Sequence, residues 1–480
     1  MAFLQRLSLV QNFKTFGVRK MWSITILAMA DVFAMLLPFY LKNFFPEIFR
    51  QFGISEAEFN FVLSLYGYVL LPAYLFGGYL ADKFSLRWLT VIGLGLIGIF
   101  GFWYGTVPIM GTTATSVQVQ LGIIFVVWGL ATGFVFWSAL WKLLSQQATD
   151  KQQGAVNGAL GSINGLFGLL IVGFAYGAYA LFNLGGTELQ KWAFPVMAYI
   201  FSAGALIVCL LTLMFVKEKP NKKEFTFSWD HLKVIIGNVR VWLVAILILG
   251  VYMFQTGLSI FVNYLESSLK IATGIVFALG IIRTYVSRFA FSSGAGKVAD
   301  RWGKYILFIT IGLIINAALM VVAIVAPGFG NDINALQTNA PLRILIQVAV
   351  SAVFILMGIV CWALVTNRWA VINELKIPEK NYGLMVAFIS LIAFSPDAWL
   401  WHISSVIYSK YEYQNGINAL GKPNMVTGQN GYQIMLAIIL GVALISVIAG
   451  CILLILKRVD HVRINATQKN KLNALSKKIA

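Results

Sequence analysis

Twelve apolar runs of roughly 20 residues each fix what this chain can become before any motif is considered. They fall over 21–41, 59–80, 88–106, 118–143, 154–181, 192–216, 240–264, 272–294, 305–327, 343–370, 383–408 and 432–456. Each is long enough to cross the hydrocarbon core as a helix, and a crossing segment must satisfy its own backbone hydrogen bonds. Only 11% of the 480 residues are charged and 59% are hydrophobic, far from the balance of a water-soluble domain. The expected fold is an all-α membrane protein with the lipid bilayer as its surroundings.

The formal charge of +18 does not indicate a nucleic-acid partner, because the Lys and Arg residues punctuate apolar segments and form no solvated basic face. The three cysteines and three histidines are scattered, so neither a metal site nor a cofactor is expected. An enzyme would need a nucleophile with its base, or a metal cluster, and neither is visible. The first run follows Lys14, Arg19 and Lys20 but is too long for a signal-peptide core. It is read as a retained span.

An even number of spans puts both termini on one side. Placing them in the cytoplasm leaves about 25 of the 36 Lys and Arg in cytoplasmic segments and about 7 on the other side, the bias of the positive-inside rule. The polar, basic stretch 217–239 is read as a linker between two six-helix halves, 21–216 and 240–456, flanked by a cytoplasmic segment 1–20 and a basic tail 457–480.

The halves carry matching landmarks. "GGYLADKFSLRW" (77–88) between spans two and three answers to "GAGKVADRWGKY" (294–305) between spans eight and nine. "ATDKQQG" (148–154) likewise answers to "IPEKNYG" (377–383). Glycine permits close helix approach and tight turns, while an aspartate just before a helix favours its electropositive start. Two six-helix halves of this kind place a binding site near mid-membrane, at their interface.

With the doubled motif the sequence resembles the major facilitator superfamily, whose loop between spans two and three runs close to G-x-L-A-D-R-x-G-x-R/K. The matching residues are Gly78, Leu80, Ala81, Asp82, Lys83 and Arg87, then Gly296, Val298, Ala299, Asp300, Arg301, Gly303 and Lys304. The resemblance implies the major facilitator fold and a transporter working by alternating access. It further implies that Gly78, Asp82, Lys83, Arg87, Gly296, Asp300, Arg301 and Lys304 form a conformational latch between halves. Span four has no arginine, unlike many proton-driven drug exporters of the family. "FVFWSALWKLL", "IRTYVSRF" and "YLKNFF" are most similar to bacterial sugar-phosphate and anionic-carbohydrate permeases.

Ionisable groups at mid-membrane depth are costly and are functional candidates by default. Asp31 and Asp397 fall there, as do Arg283 and Arg288. Arginine keeps its proton, so each arginine needs Asp31, Asp397 or an anionic solute as partner, unless Arg288 snorkels toward the cytoplasm. Asp31 is a candidate proton-coupling carboxylate. Pro396 should break the helix beside Asp397. Tyr252, Gln255, Ser259 and Asn263 step by three and four along span seven as a polar stripe, and Asn157, Gly161, Asn164 and Gly168 form another on span five. Trp401, deeper than the interfacial tryptophans, can stack on a solute or pack against neighbours. The expected substrate site is Arg283, Arg288, Asp397, Tyr252, Gln255, Ser259 and Trp401. Function is expected to be secondary transport of a small polar, anionic solute across the bacterial inner (plasma) membrane, coupled to an ion, expected to be the proton, by a monomer. An importer of amino acids or nucleosides, an exporter of a small chelator and a transporter-like receptor are the alternatives.

Overall fold

The computed structural model describes residues 17–45, 48–147, 153–219, 229–329, 339–374, 382–417 and 423–479. The loop landmark 148–154 and its counterpart 377–383 lie almost wholly outside these residues, as does 220–228 of the expected linker.

The apolar runs fold as helices. Span 1 is Val18–Asn43, span 3 Leu86–Ile109, span 4 Ala114–Ser145, span 5 Ala159–Leu184 and span 6 Thr187–Phe215. Spans 7 to 12 are Val239–Ser268, Thr273–Phe291, Tyr305–Val325, Ala340–Asn367, Met385–Tyr411 and Gln429–Asp460. Span 2, the helix Glu56–Lys83, bends by 54° between Tyr74 and Phe76 and completes the set as the twelfth crossing. Ser55 and Glu58 start it with a capping box, in which each side chain satisfies a backbone N–H that the first turn leaves free.

Twelve crossings place both ends of the bundle core, near Val18 and Asp460, on one side, here called the termini end. The opposite, far end carries a hairpin of β1 (Glu412–Ile417) and β2 (Pro423–Thr427) between spans 11 and 12. The last helix runs on past its span, from Gln429 to Ile479. The outward faces of spans 5 and 6 are apolar, with Leu181 and Met214 both 73% exposed; such a surface fits lipid rather than water.

Several spans are irregular. Spans 1, 4, 7 and 8 contain π turns at Leu36–Tyr40, Leu130–Phe136, Tyr264–Ser268 and Ile282–Val286, each of which inserts a residue and frees backbone groups. Span 7 also breaks at Gly257, between helices Val239–Thr256 and Leu258–Asn263. Span 11 breaks as Pro396 demands: one helix ends at Ala393 and the next starts at Pro396.

Candidate functional site

The first six and last six spans meet along two crossings, span 2 against span 11 and span 5 against span 8. Glycine makes both possible. A Cβ on Gly67 would stand 1.9 Å from the Asp397 carbonyl oxygen, and one on Gly168 would stand 2.2 Å from the Tyr285 ring.

Gly67 therefore seats the broken point of span 11, and with it Asp397, against the first half. The Asp397 carboxylate is buried. It accepts from the Tyr252 hydroxyl at 2.7 Å and from the Thr256 hydroxyl at 3.4 Å, both on span 7. Its cationic neighbour is Lys42 of span 1, across the interface. The Lys42 ammonium is buried, has no hydrogen-bond partner, and lies 3.3 Å from the centroid of the Trp401 ring, one turn beyond Asp397. Asp397 is thus not paired with Arg283 or Arg288, the partners its sequence position suggested. Trp401 packs on a cation. Ser259 turns inward and donates to the Thr256 carbonyl at 2.8 Å.

Arg283, in the π turn of span 8, lies about 15 Å along the helix from Thr273, near mid-membrane. It also departs from the expected carboxylate pairing. Its Nη2 donates to the carbonyls of Phe254 and Gln255 at 3.1 and 3.3 Å. The break at Gly257 frees these two acceptors from their helical donors, so the guanidinium caps the electronegative end of a helix. The Trp362 indole donates to the Arg283 carbonyl at 2.8 Å, and the stem of Arg283 lies on Gly358.

Two further arginines converge here. Arg288 stacks at 5.0 Å over Trp362. Arg368, at the end of span 10, donates to the Gln255 side chain at 2.8 Å and lies 5.4 Å from the Phe394 ring. The Tyr40 hydroxyl stands beside the Gln255 amide, within electrostatic reach of Arg283, Arg288 and Arg368. Among the described residues no carboxylate is within ion-pair distance of any of the three arginines. Asp31 accepts from the Asn164 amide of span 5 and feels Arg288 only at longer range. One of its oxygens has no hydrogen-bond partner. The side chain of Asn157, in the same stripe as Asn164, lies outside the described residues.

The repeated motif behaves differently from its sequence reading. Asp82 does not cap span 3: it sits in the last turn of span 2 and pairs with Lys142 of span 4, in the same half. The start of span 3 is capped by Ser85 and by Glu218, which accepts from the backbone N–H of Leu86 at 2.7 Å and Arg87 at 3.3 Å. In the second half Glu374 plays the equivalent part, accepting from Ile306 N–H at 3.2 Å and pairing with Lys457. Lys83, Arg301 and Lys304 are exposed, while Arg87 is half-buried. A Cβ on Gly78 would meet nothing within 4 Å, whereas one on Gly77 would stand 2.5 Å from the Gly133 carbonyl oxygen. The close helix approach thus belongs to Gly77. Gly296 and Asp300 lie on the helix Ser287–Trp302, and their side chains are outside the described residues.

At the far end, Glu56 accepts from Thr427 at 3.0 Å and also from Asn263 and Tyr432. Arg50 donates to Glu266 at 3.5 Å nearby. Behind Glu56 is a cavity of ≈ 10 Å³ lined by Lys42, Asn60, Ser259, Asn263 and Trp401, about the room of one water. Glu412, just beyond span 11, has its carboxyl pushed up by burial, against the opposing effect of the Ser55 side chain.

Sequence reasoning missed Lys42, Glu56, Arg368 and Tyr40. Lys42 and Glu56 flank the apolar runs and read as ordinary end charges. The signal available was that "LKNFF" and "SEAEFN" place charges among aromatic and small residues.

The sequence profile of the Major Facilitator Superfamily matches residues 15–396. A Mycoplasma pneumoniae protein named "Uncharacterized protein MG294 homolog" is 32% identical, covering 96% of this chain and 97% of its own length. The Escherichia coli inner membrane protein YihN is 22% identical over 81% of this chain and 88% of its own. Among solved structures, nucleoside transporter NupG (D323A mutant) superposes with a TM-score of 0.60 at 18% identity, covering 90% of this chain and 98% of its own. A bacterial homolog of the human lysosomal transporter Spinster, facing inward, gives 0.61 at 12% identity, over 92% and 98%. Two six-span halves with a polar site between them, a profile match over most of the length and these structural likenesses lead to one conclusion: the chain is a multi-pass membrane protein belonging to the major facilitator superfamily of transporters.

Proposed function

We propose that the chain is a secondary active transporter that carries a small polar organic anion by alternating access. The observation that supports this is the convergence of Arg283, Arg288 and Arg368 around Tyr40 with no carboxylate within ion-pair distance among the described residues. Arginine stays charged, and an uncompensated charge at this depth costs several kcal/mol. An anionic group on the solute completes the site. Arg288 and Arg368 contact it, and the aromatic faces of Trp362 and Phe394 hold the guanidiniums in place. Tyr252, Gln255, Ser259, Asp397 and Trp401 form the remaining wall, where hydroxyls of a carbohydrate find both donors and acceptors.

Asp31, with one unpartnered oxygen and Arg288 as its nearest cation, is the proton-coupling carboxylate. Arrival of the solute anion at Arg288 weakens the hold of that cation on Asp31, which ties protonation to loading. The termini face the cytoplasm, following the distribution of Lys and Arg, and the membrane is the bacterial inner (plasma) membrane, as in the names of the E. coli relatives. The protein works as a single chain. Asp82 of the first motif pairs with Lys142 of its own half; a latch between halves at the termini end belongs to the state in which that end is closed.

Counterflow in proteoliposomes tests this. Labelled sugar phosphates and sugar acids should exchange, and Arg288→Ala and Arg368→Ala should each abolish exchange. Asp31→Asn should retain exchange but lose uptake driven by a pH gradient. Transport of nucleosides or amino acids alone, unchanged in both arginine variants, would refute the anion site.

A further inference from the structure

The contacts that Glu56 makes belong to no part of the solute site, yet they join the two halves. Glu56 is the first residue of span 2, in the first half. Its three donors belong to three separate elements of the second: Asn263 on span 7, Thr427 on β2 and Tyr432 on span 12. Arg50 and Glu266 add a fourth tie between the halves at the same level. A carboxylate accepts up to four hydrogen bonds, and charged acceptors make the stronger ones. The residue is 2% exposed, so water does not substitute for these partners.

We propose that Glu56 is the positioning residue that holds the far end shut: one carboxylate gathers span 7, the hairpin and span 12 onto the first half, and its release opens the path from that side. The cavity directly behind it has about the volume of one water and is walled by Asn60 and Asn263. A transport path closed at this point would leave such a remnant. The closure also reaches the central site through one element. Span 7 presents Asn263 to Glu56, Gln255 to Arg368 and Tyr252 to Asp397. The proposal rests on the two halves rocking, but not on what the solute is.

The test reads closure without any solute. In protein with Cys209, Cys361 and Cys451 changed to Ser, Asn60→Cys places a thiol in the closed cavity. Intact cells are treated with a membrane-impermeant maleimide, with Thr187→Cys, exposed at the far end, as the control for reagent access. Asn60→Cys should label slowly. Adding Glu56→Ala should speed it at least about tenfold, the factor carried by one charge-assisted hydrogen bond. Because Glu56→Ala can also impair folding, the closure is broken independently from the second half by Thr427→Val with Tyr432→Phe, which should give the same acceleration. Unchanged labelling in the Thr427→Val, Tyr432→Phe protein, with the Thr187→Cys control labelled normally, would overturn the proposal. Fast labelling of Asn60→Cys in the otherwise unaltered protein would overturn it too. Failure of anion exchange in proteoliposomes would leave both outcomes readable.

Discussion

Adding one methyl group at Gly67 is the sharpest test of how the site is positioned. Its Cβ would stand 1.9 Å from the Asp397 carbonyl oxygen and 2.4 Å from the Ala398 nitrogen. Both are backbone atoms, so no rotamer change relieves the clash. Restoring ordinary contact at 3.4 Å requires spans 2 and 11 to part by about 1.5 Å, an overpacking displacement whose cost is about 1–3 kcal/mol. The same shift draws Asp397 away from Lys42, which belongs to the first half. Gly78→Ala, eleven residues on in the same helix, is the internal control. It meets nothing within 4 Å and should be neutral or stabilising by up to about 1 kcal/mol, as alanine is the better helix former. Purified protein in detergent, melted at one fixed scan rate because unfolding can be irreversible, should show Gly67→Ala falling by a few degrees and Gly78→Ala matching the parent or exceeding it. Proteoliposome exchange should drop with Gly67→Ala. If the two variants melt together, spans 2 and 11 do not pack backbone to backbone and the account of how Asp397 is held is wrong.

Three other outcomes follow from the same contacts. Arg283→Lys keeps the charge but loses the guanidinium whose Nη2 reaches both the Phe254 and Gln255 carbonyls, and should cost about 1.5–3 kcal/mol, seen as a lowered melt; a melt equal to the parent would mean the cap on span 7 carries no weight. Tyr252→Phe leaves the Asp397 carboxylate without its shortest donor and should lower both exchange and the melt, with Thr256→Val the milder of the two because its bond is 3.4 Å long. Burial raises the Glu412 carboxyl, so its contribution is fully present below the unfolded carboxylate range and is lost as pH rises through the folded value. Glu412→Gln should therefore melt higher than the parent near neutral pH and match it at about pH 4; a gain that persists unchanged in acid would assign the effect to packing.

The crossings were legible because length and apolarity are the whole requirement for a span, and each of the twelve runs became one. The break in span 11 was legible for a similar reason: Pro396 removes a donor wherever it lies in a helix. The partners of the charges were not. Arg283 was expected to meet Asp31, Asp397 or a solute anion, but the acceptors it has are main-chain carbonyls exposed by the break at Gly257, which no side-chain pattern announces. Lys42 stood one residue past the expected end of the first run and Glu56 three before the start of the second. Both were taken into the bundle because spans 1 and 2 extend further than their apolar cores. Asp82 was assigned to the wrong helix end because spacing alone does not say which acid, the neighbouring Asp82 or Glu218 far along the chain, reaches the free N–H groups.

The π turn at Ile282–Val286 also bears on how this chain can vary. One surplus residue is stored there without disturbing the helix on either side, so a deletion between Arg283 and Arg288 would close the ring to an ordinary α turn and leave span 8 able to cross the membrane. The segment beyond would keep its phase, with Arg288 still over Trp362, because the wide turn had already absorbed the extra residue. The loss would fall on the turn itself, where Arg283 meets the Phe254 and Gln255 carbonyls. A one-residue deletion is therefore borne better at this turn than in the regular helix on either side, where it would rotate every later side chain by about 100°.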